Sequence, residues 1–385
     1  MIYLDNAAST HIHDRVIEEM IPFFKEQYGN PSSIHKFGRI ANGAVQTARK
    51  RIADLINADS EEIIFTSGGT ESNNTAIYGI AMQNKGKHII TSSIEHDAIL
   101  EPCKRLEKEG YKITYLPVDR NGLVNPDCAR KEISGNTCLI TIMLANNEVG
   151  TIQPIREIAT IARQNNVIFH TDAVQAVGKI PINVRELGVD LLSISSHKIN
   201  GPKGTGALFI RKGVPISPLV LGGGQENGMR SGTENVANIV GFGMACKISK
   251  ENMVQNIIHF KNLTSKLIKR VVEEIPSTNL NGHPEMRIPN NVHFTFLGVN
   301  GEDLIIKLDE NKIAASTGSA CSVRVQKASH VLKAMGFSHE QITGSLRLSV
   351  GISNTDQEIN ETVEILKKIV HELRAISPYK SKYNF

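Results

Sequence analysis

An α/β fold built on a largely parallel sheet, with a smaller α+β region after it, is predicted by three features of this 385-residue chain. From Ile63 onward, short aliphatic runs alternate with longer amphipathic stretches, the pattern of βαβ units with helices on both faces of a sheet. Beyond about residue 250 that alternation gives way to a mixture of strand-like and helix-like runs. The length itself allows two domains and a sizeable core.

Taken in order, residues 11–27 place Ile12, Val16, Ile17, Met20, Ile21, Phe23 and Phe24 at helical spacing, broken only by Pro22. Residues 28–33 form a loop. A basic amphipathic helix is predicted over 38–58, with Arg39, Arg49, Lys50 and Arg51 forming a solvated face. Strands follow at 63–65, 88–91, 112–116, 138–143 and 167–170, and helices after Thr70 and over 97–109 and 155–164. Residues 189–195 and 207–210 read as two further strands around a Gly/Pro loop. A long helical pattern runs from Thr233 to about Glu274 and stops near Pro276. The last part predicts strands at 291–296 and 313–316 and helices at 302–310, near 329–335 and after Thr355. The chain contains no internal repeat and no low-complexity linker.

A formal charge of +4 is small for this length and makes no case for nucleic acid. Cys103, Cys128, Cys138, Cys246 and Cys321 are an odd number without CxxC spacing, which argues against a disulfide framework and against a zinc site. The first residues lack the basic and apolar regions of a signal peptide, and no uncharged apolar run approaches the roughly eighteen residues of a membrane span. The expectation is a soluble cytoplasmic protein.

The chemistry centres on Ser195-Ser196-His197-Lys198, a strand end followed at once by the loop Asn200-Gly201-Pro202-Lys203-Gly204-Thr205-Gly206. A lysine desolvated at such a point becomes a usable amine for Schiff-base chemistry; a lysine leaving a strand into solvent would look the same. Upstream, residues 167–170 run into Asp172 and Gln175, and in open α/β sheets ligands bind beyond the carboxyl ends of the strands. Asp172 and Lys198 on such ends fit the pyridoxal phosphate pattern of a Schiff-base lysine and an acid for the pyridinium nitrogen. Asp172 as a helix N-cap accounts for the aspartate but not for its pairing with the lysine. The stretch Thr66-Ser67-Gly68-Gly69-Thr70 links a strand to a helix and suits a phosphate, or an ordinary capped helix. Arg347 lies inside an apolar alternating strand, where it needs an anionic partner: an internal salt bridge or a substrate carboxylate.

These motifs, with Gly222-Gly223-Gly224-Gln225-Glu226, Arg230-Ser231-Gly232-Thr233-Glu234-Asn235, Gly318-Ser319-Ala320-Cys321 and Ser345-Leu346-Arg347, occur in order behind Tyr3-Leu4-Asp5-Asn6. The ordered set resembles the cysteine desulfurases of the NifS/IscS group, class V aminotransferases within the fold-type I pyridoxal phosphate enzymes. The resemblance covers nearly the whole chain. It implies a large domain of residues 13–250 with a mostly parallel seven-stranded sheet. Residues 1–12 with 251–385 would form the small domain that carries a catalytic cysteine loop.

The resemblance assigns Lys198 to the Schiff base and to proton abstraction, and Asp172 to the ring nitrogen. Gly69, Thr70, Ser195 and His197 would hold the phosphate, with Thr233 reaching that of the neighbouring subunit in a homodimer. His96 would stack on the ring and assist proton transfer, and Gln175 and Asn147 would lie by its phenolic oxygen. Asn147, Arg347 and Asn30 would hold the substrate carboxylate. Cys321, in a segment whose length is similar to that of the long-loop group, would take sulfur from L-cysteine as a persulfide, leave alanine, and pass the sulfur to an acceptor protein such as an iron–sulfur scaffold or a thiolation enzyme. No resident metal site is evident, although Cys321 could share an iron–sulfur cluster with a scaffold partner. The tail 379–385 lacks an evident counterpart of the tail used by scaffold-binding members. Alternatives are another enzyme of this fold, such as an aminotransferase or selenocysteine lyase, and a non-catalytic sulfur-scaffold partner. A nucleotide-binding loop at 201–206 is opposed by the missing Walker pattern.

Overall fold

The computed structural model describes residues 1–318 and 328–378. Cys321 and the tail 379–385 lie outside the described residues. Strand β1 (Ile2–Tyr3) is followed by helices α1 (Asp14–Lys25) and α2 (Lys36–Ile56). The alternating region then runs β2 (Ile63–Thr66), α3 (Gly69–Gln83), β3 (His88–Ser92), α4 (Asp97–Lys108), β4 (Lys112–Leu116), α5 (Pro126–Glu132), β5 (Thr137–Thr141), α6 (Ile155–Gln164), β6 (Ile168–Asp172), α7 (Val184–Leu187), β7 (Leu191–Ser195) and β8 (Gly206–Ile210). Strands β2 to β8 form one seven-stranded sheet in the order β2-β8-β7-β6-β5-β3-β4. Only β8 runs against its neighbours, so the sheet is mostly parallel, as the resemblance implied. Strands β3, β5, β6 and β7 are buried along nearly their whole length because helices cover both faces.

The remainder is built differently. Helices α8 (Val236–Glu251) and α9 (Met253–Glu274) lead to β9 (Thr278–Leu280), β10 (Asn291–Phe296), α10 (Gly301–Glu310), β11 (Ile313–Ala314), α11 (His330–Ala334), α12 (His339–Thr343), β12 (Ser345–Ser349) and α13 (Asp356–Ala375). Strands β12, β10 and β9 make an antiparallel sheet, and β1 pairs with β11. Phe294, Phe296, Leu346, Leu348, Leu366 and Val370 belong to a second hydrophobic cluster under this sheet, separate from the one beneath the parallel sheet. Residues 4–7 join the two regions: Ser349 N–H donates to the Leu4 carbonyl at 2.7 Å and Ala7 N–H to Ser349 Oγ at 2.8 Å.

Two expectations are corrected. The helical pattern over 233–274 is two helices, because Asn252 leaves helical dihedrals (φ −106°, ψ 9°) while its side chain bonds back to the Ile248 carbonyl at 3.1 Å. The basic face of α2 is not wholly solvated. Arg49 is buried and forks onto Glu226, with Nη2 to Oε1 at 2.6 Å and Nη1 to Oε2 at 2.8 Å. Glu226 also accepts from the Phe65 N–H at 2.8 Å, so this pair ties α2 to the edge strand β2. The charge that looked like solvent decoration fastens the strand leading into the Gly68–Gly69 turn.

Candidate active site

The parallel strands and β2 deliver their carboxyl ends to one edge of the sheet, where Gly69, Thr70, Asn73, His96, Asn147, Asp172, Gln175, Ser195, His197 and Lys198 line a cavity of about 250 Å³. Each comes from the last residue of a strand, from the turn after it or from the helix that follows. Gly68 stands at φ +154°, a conformation that side chains rarely adopt. A Cβ on Gly69 would meet Val174 Cγ2 at 2.7 Å, so only glycine lets the start of α3 come this close to the turn after β6.

Asp172 is held from two sides, by Asn73 Nδ2 at 2.7 Å and by the Val174 N–H at 2.9 Å. Lys198 Nζ donates to the carbonyls of Ala7 and Ala8 at 2.6 and 2.7 Å. Gln175 Nε2 donates to the same Ala7 carbonyl at 2.9 Å. Burial, reinforced by the cation of Lys198, pushes His197 down to about 4 and keeps its ring neutral. His96 caps α4, its Nδ1 accepting from the Ala98 N–H at 3.1 Å, and also faces the cavity.

Arg347 approaches from β12 of the other sheet. Its Nη1 donates to the Asn147 carbonyl at 2.9 Å, its Nη2 to Asp5 Oδ1 at 2.9 Å, and its Nε is buried without a partner among the described residues. The internal salt bridge therefore exists, and it leaves one edge of the guanidinium with hydrogens to give. Asn30 and Thr233 are elsewhere: both line a separate groove of about 290 Å³ with Phe24 and Tyr28. Within one chain they do not join the cavity of Lys198.

Sequence reasoning missed Asn73, Asp5 and two buried acids. Asn73 follows Gly69 by one helical turn on α3, a spacing that would have put it on the same face. Glu95 accepts from Ser92 Oγ at 2.5 Å and from the Met143 N–H at 3.0 Å, and burial raises it from the ordinary 4.5 to about 8. Glu148 accepts from Ser329 Oγ at 2.6 Å and burial raises it too, against the pull of His330, Arg347 and His96. His330 Nε2 donates to the Glu95 carbonyl at 2.8 Å. These bonds fasten residues 329–330 to the wall that carries His96.

The donor set fits pyridoxal phosphate. Asn73 Oδ1 and Gln175 Oε1 are buried on the cavity wall with no hydrogen-bond partner among the described residues. A carboxylate, an amine and the glycine-lined start of α3 face the same space. Among the described residues the cavity lining contains no Phe, Tyr or Trp, and its aromatic rings are the imidazoles of His96 and His197.

Residues 2–361 match the family described as Aminotransferase class-V. The chain is 52% identical to the cysteine desulfurase IscS of Dictyoglomus turgidum over 99% of this chain and 98% of that one. It is 51% identical to the IscS of Methanosarcina thermophila, over 99% and 95%. Among solved structures, a NifS-like protein superposes with a TM-score of 0.90 at 40% identity, covering 97% of this chain and all of that one. The NifS-like protein of Rickettsia africae gives 0.88 at 35%, covering 96% and 99%. With the family spanning almost its full length and half its residues shared with such relatives, the chain belongs to the class V aminotransferases and, within them, to the cysteine desulfurases.

Proposed function

We propose that this protein is a pyridoxal phosphate-dependent cysteine desulfurase that converts L-cysteine to L-alanine and carries the sulfur away as a persulfide on Cys321. The observation that carries the reading is Lys198 and Asp172 on neighbouring strand ends around one cavity, with Arg347 bonded to the cavity-lining residue Asn147. A solved protein titled SspA in complex with cysteine, 37% identical with a TM-score of 0.81 over 91% of this chain and 99% of that one, supports the substrate.

Pyridoxal phosphate in this cavity supplies an aldehyde for amines and a protonated ring that accepts the electron pair released at the substrate Cα. Asp172, fixed by Asn73, would keep a proton at the ring nitrogen. Gly69, Thr70, Ser195 and His197 would hold the phosphate, Asn147 and Gln175 would serve the phenolic oxygen, and His96 would cover the ring. Lys198 would hold the group covalently and, with its amine free, would take the substrate Cα proton as general base. Arg347 offers Nε and the second Nη2 hydrogen to the substrate carboxylate, a fork an ammonium cannot copy. The Cys321 thiolate then attacks the substrate sulfur. The S–S bond would form as the Cβ–S bond breaks, the electron pair would stay on Cβ and take up a proton there, and return of the proton held by Lys198 to Cα would complete alanine. Burial raises the thiols of Cys103, to about 12, and of Cys138. Neither suits the role of nucleophile.

We assign residues 13–250 to a large cofactor-binding domain and 1–12 with 251–385 to a small one. The assembly is a homodimer, in which Thr233 and Asn30 serve the partner's site. Exposed Ile17, Ile21, Phe24, Tyr28, Ile34 and Phe37 near that groove are a surface for a second copy. The acceptor is a sulfur-receiving protein such as an iron–sulfur scaffold or thiolation enzyme. Free cysteines throughout the described residues suit the cytoplasm, and no helix among those residues is long and apolar enough to cross a membrane. Treating the purified protein with L-cysteine tests the function. Alanine should form, and peptide mass should find one extra sulfur on Cys321. Cys321→Ser should bind cofactor and substrate yet release no alanine; wild-type turnover in that variant overturns the mechanism.

A further inference from the structure

A second and much smaller cavity, of about 30 Å³, shares only Lys198 with the first. Its other basic residue is Lys179, which is 4% exposed. Among the described residues the Lys179 side chain has one hydrogen bond, from Nζ to the Gln175 carbonyl at 3.1 Å, and no carboxylate within ion-pairing distance. A buried ammonium with a single neutral acceptor is costly. Asn290 lines the same cavity, and its Oδ1 is buried without a partner among the described residues, so the space that both lysines line is polar and large enough for one water. An outer groove continues from it, sharing Asn6, Thr10 and His13.

From this arrangement, and resting on the assignment of Lys198 above, we propose that Lys179 is a positioning residue for the catalytic amine, a second cation that disfavours protonation of Lys198 and keeps it available as a base. Two like charges around a water-sized space repel, and each lowers the other's proton affinity. The other charged or titratable groups around the pair are His197 beside Lys198, His13 at the start of α1, Lys203 in the following loop, Asp14 in the outer groove and Asp172 across the cofactor cavity. Of these, Asp172 is already held by Asn73 and Val174. Burial together with the charge of Lys198 pushes Lys179 itself down to about 7.

The test compares Lys179→Met, Lys179→Gln and Lys179→Arg in the loaded full-length protein. The visible absorbance of the cofactor joined to Lys198 reports whether that nitrogen carries a proton. In Met and Gln the midpoint of the absorbance titration should rise by about one pH unit, a roughly tenfold gain in proton affinity. Arg, which keeps the charge, should leave the midpoint at or below that of the wild type. A common midpoint in all four proteins, or Arg moving with Met and Gln, overturns the proposal. If the wild type shows no cofactor absorbance, the functional assignment itself fails. The same variants are then compared by the pH dependence of Lys198 acetylation, read by peptide mass. The same order is expected, and a shared midpoint again overturns the role of Lys179.

Discussion

The two walls of the cofactor cavity are built on different principles. The Lys198–Asp172 wall is assembled from consecutive parallel strands, each placing its functional residue at or just past its own carboxyl end. The Arg347 wall reaches in from the antiparallel sheet and is held by long-range partners: Asp5 at the other end of the chain, Asn147 from the large sheet, and Gly318. The first wall follows from local rules about strands and turns. The second exists only because residues 4–7 lace the two sheets together. On the proposed reading, chemistry that must stay fixed is carried by the rigid sheet, and recognition of the substrate by an arm that depends on the junction.

If that contrast holds, Lys198→Ala gives the largest effect. Alanine production should fall at least ~1,000-fold, because one side chain supplies both the covalent link and the base. Thermal stability should change little, since the substitution removes a charge from a partly buried site; a collapsed fold would break the distinction between chemistry and scaffold.

Arg49→Ala probes the scaffold of the same wall. It leaves Glu226 buried with only the Phe65 N–H, a loss of roughly 3–5 kcal/mol. The melting temperature should drop and cofactor binding weaken, because β2 leads into the Gly68–Gly69 turn. An unchanged melting curve would mean that water replaces the guanidinium.

Arg347→Lys tests the other wall. Removing one charge-assisted bond of the fork costs roughly 1.5–3 kcal/mol, a loss of about one to two decades in kcat/KM. If carboxylate and transition state are held equally, the loss appears in KM. Unaltered efficiency would return Arg347 to the single task of pairing with Asp5.

The smallest effect is a slope. Glu95 has a folded pKa of about 8 against an ordinary 4.5, raised first by burial, so the native state binds the extra proton between those values. Stability contributed by the neutral acid is complete below about pH 4.5 and is lost as pH rises towards 8. Glu95→Gln should therefore flatten the decline in melting temperature between pH 5 and 8. A parallel decline in the variant would assign the slope to other groups.

Much of the first wall is legible in the sequence. Aliphatic runs ending in Asp172 and Lys198, and a glycine turn opening α3, follow from spacing alone, because a strand end displays its last residues wherever the sheet lies. Asn73 is within reach of the same logic, but its helical position gains meaning only once the cavity is known to lie beside that face. Arg49 shows the opposite failure. Its helix has a basic face, and nothing local says that one of those cations will meet a carboxylate in a distant loop.

By itself, then, the sequence determined the alternation of elements, the parallel sheet, the residues at its carboxyl edge and the family to which they belong, since these rest on periodicity and short-range order. The tertiary structure alone decided that Arg347 is shared with Asp5, that Glu95 and Glu148 are buried acids, and that Lys179 stands beside Lys198. Each of those depends on contacts between residues far apart in the chain, where burial removes water and turns an ordinary charge into one that must find a partner or give up its proton.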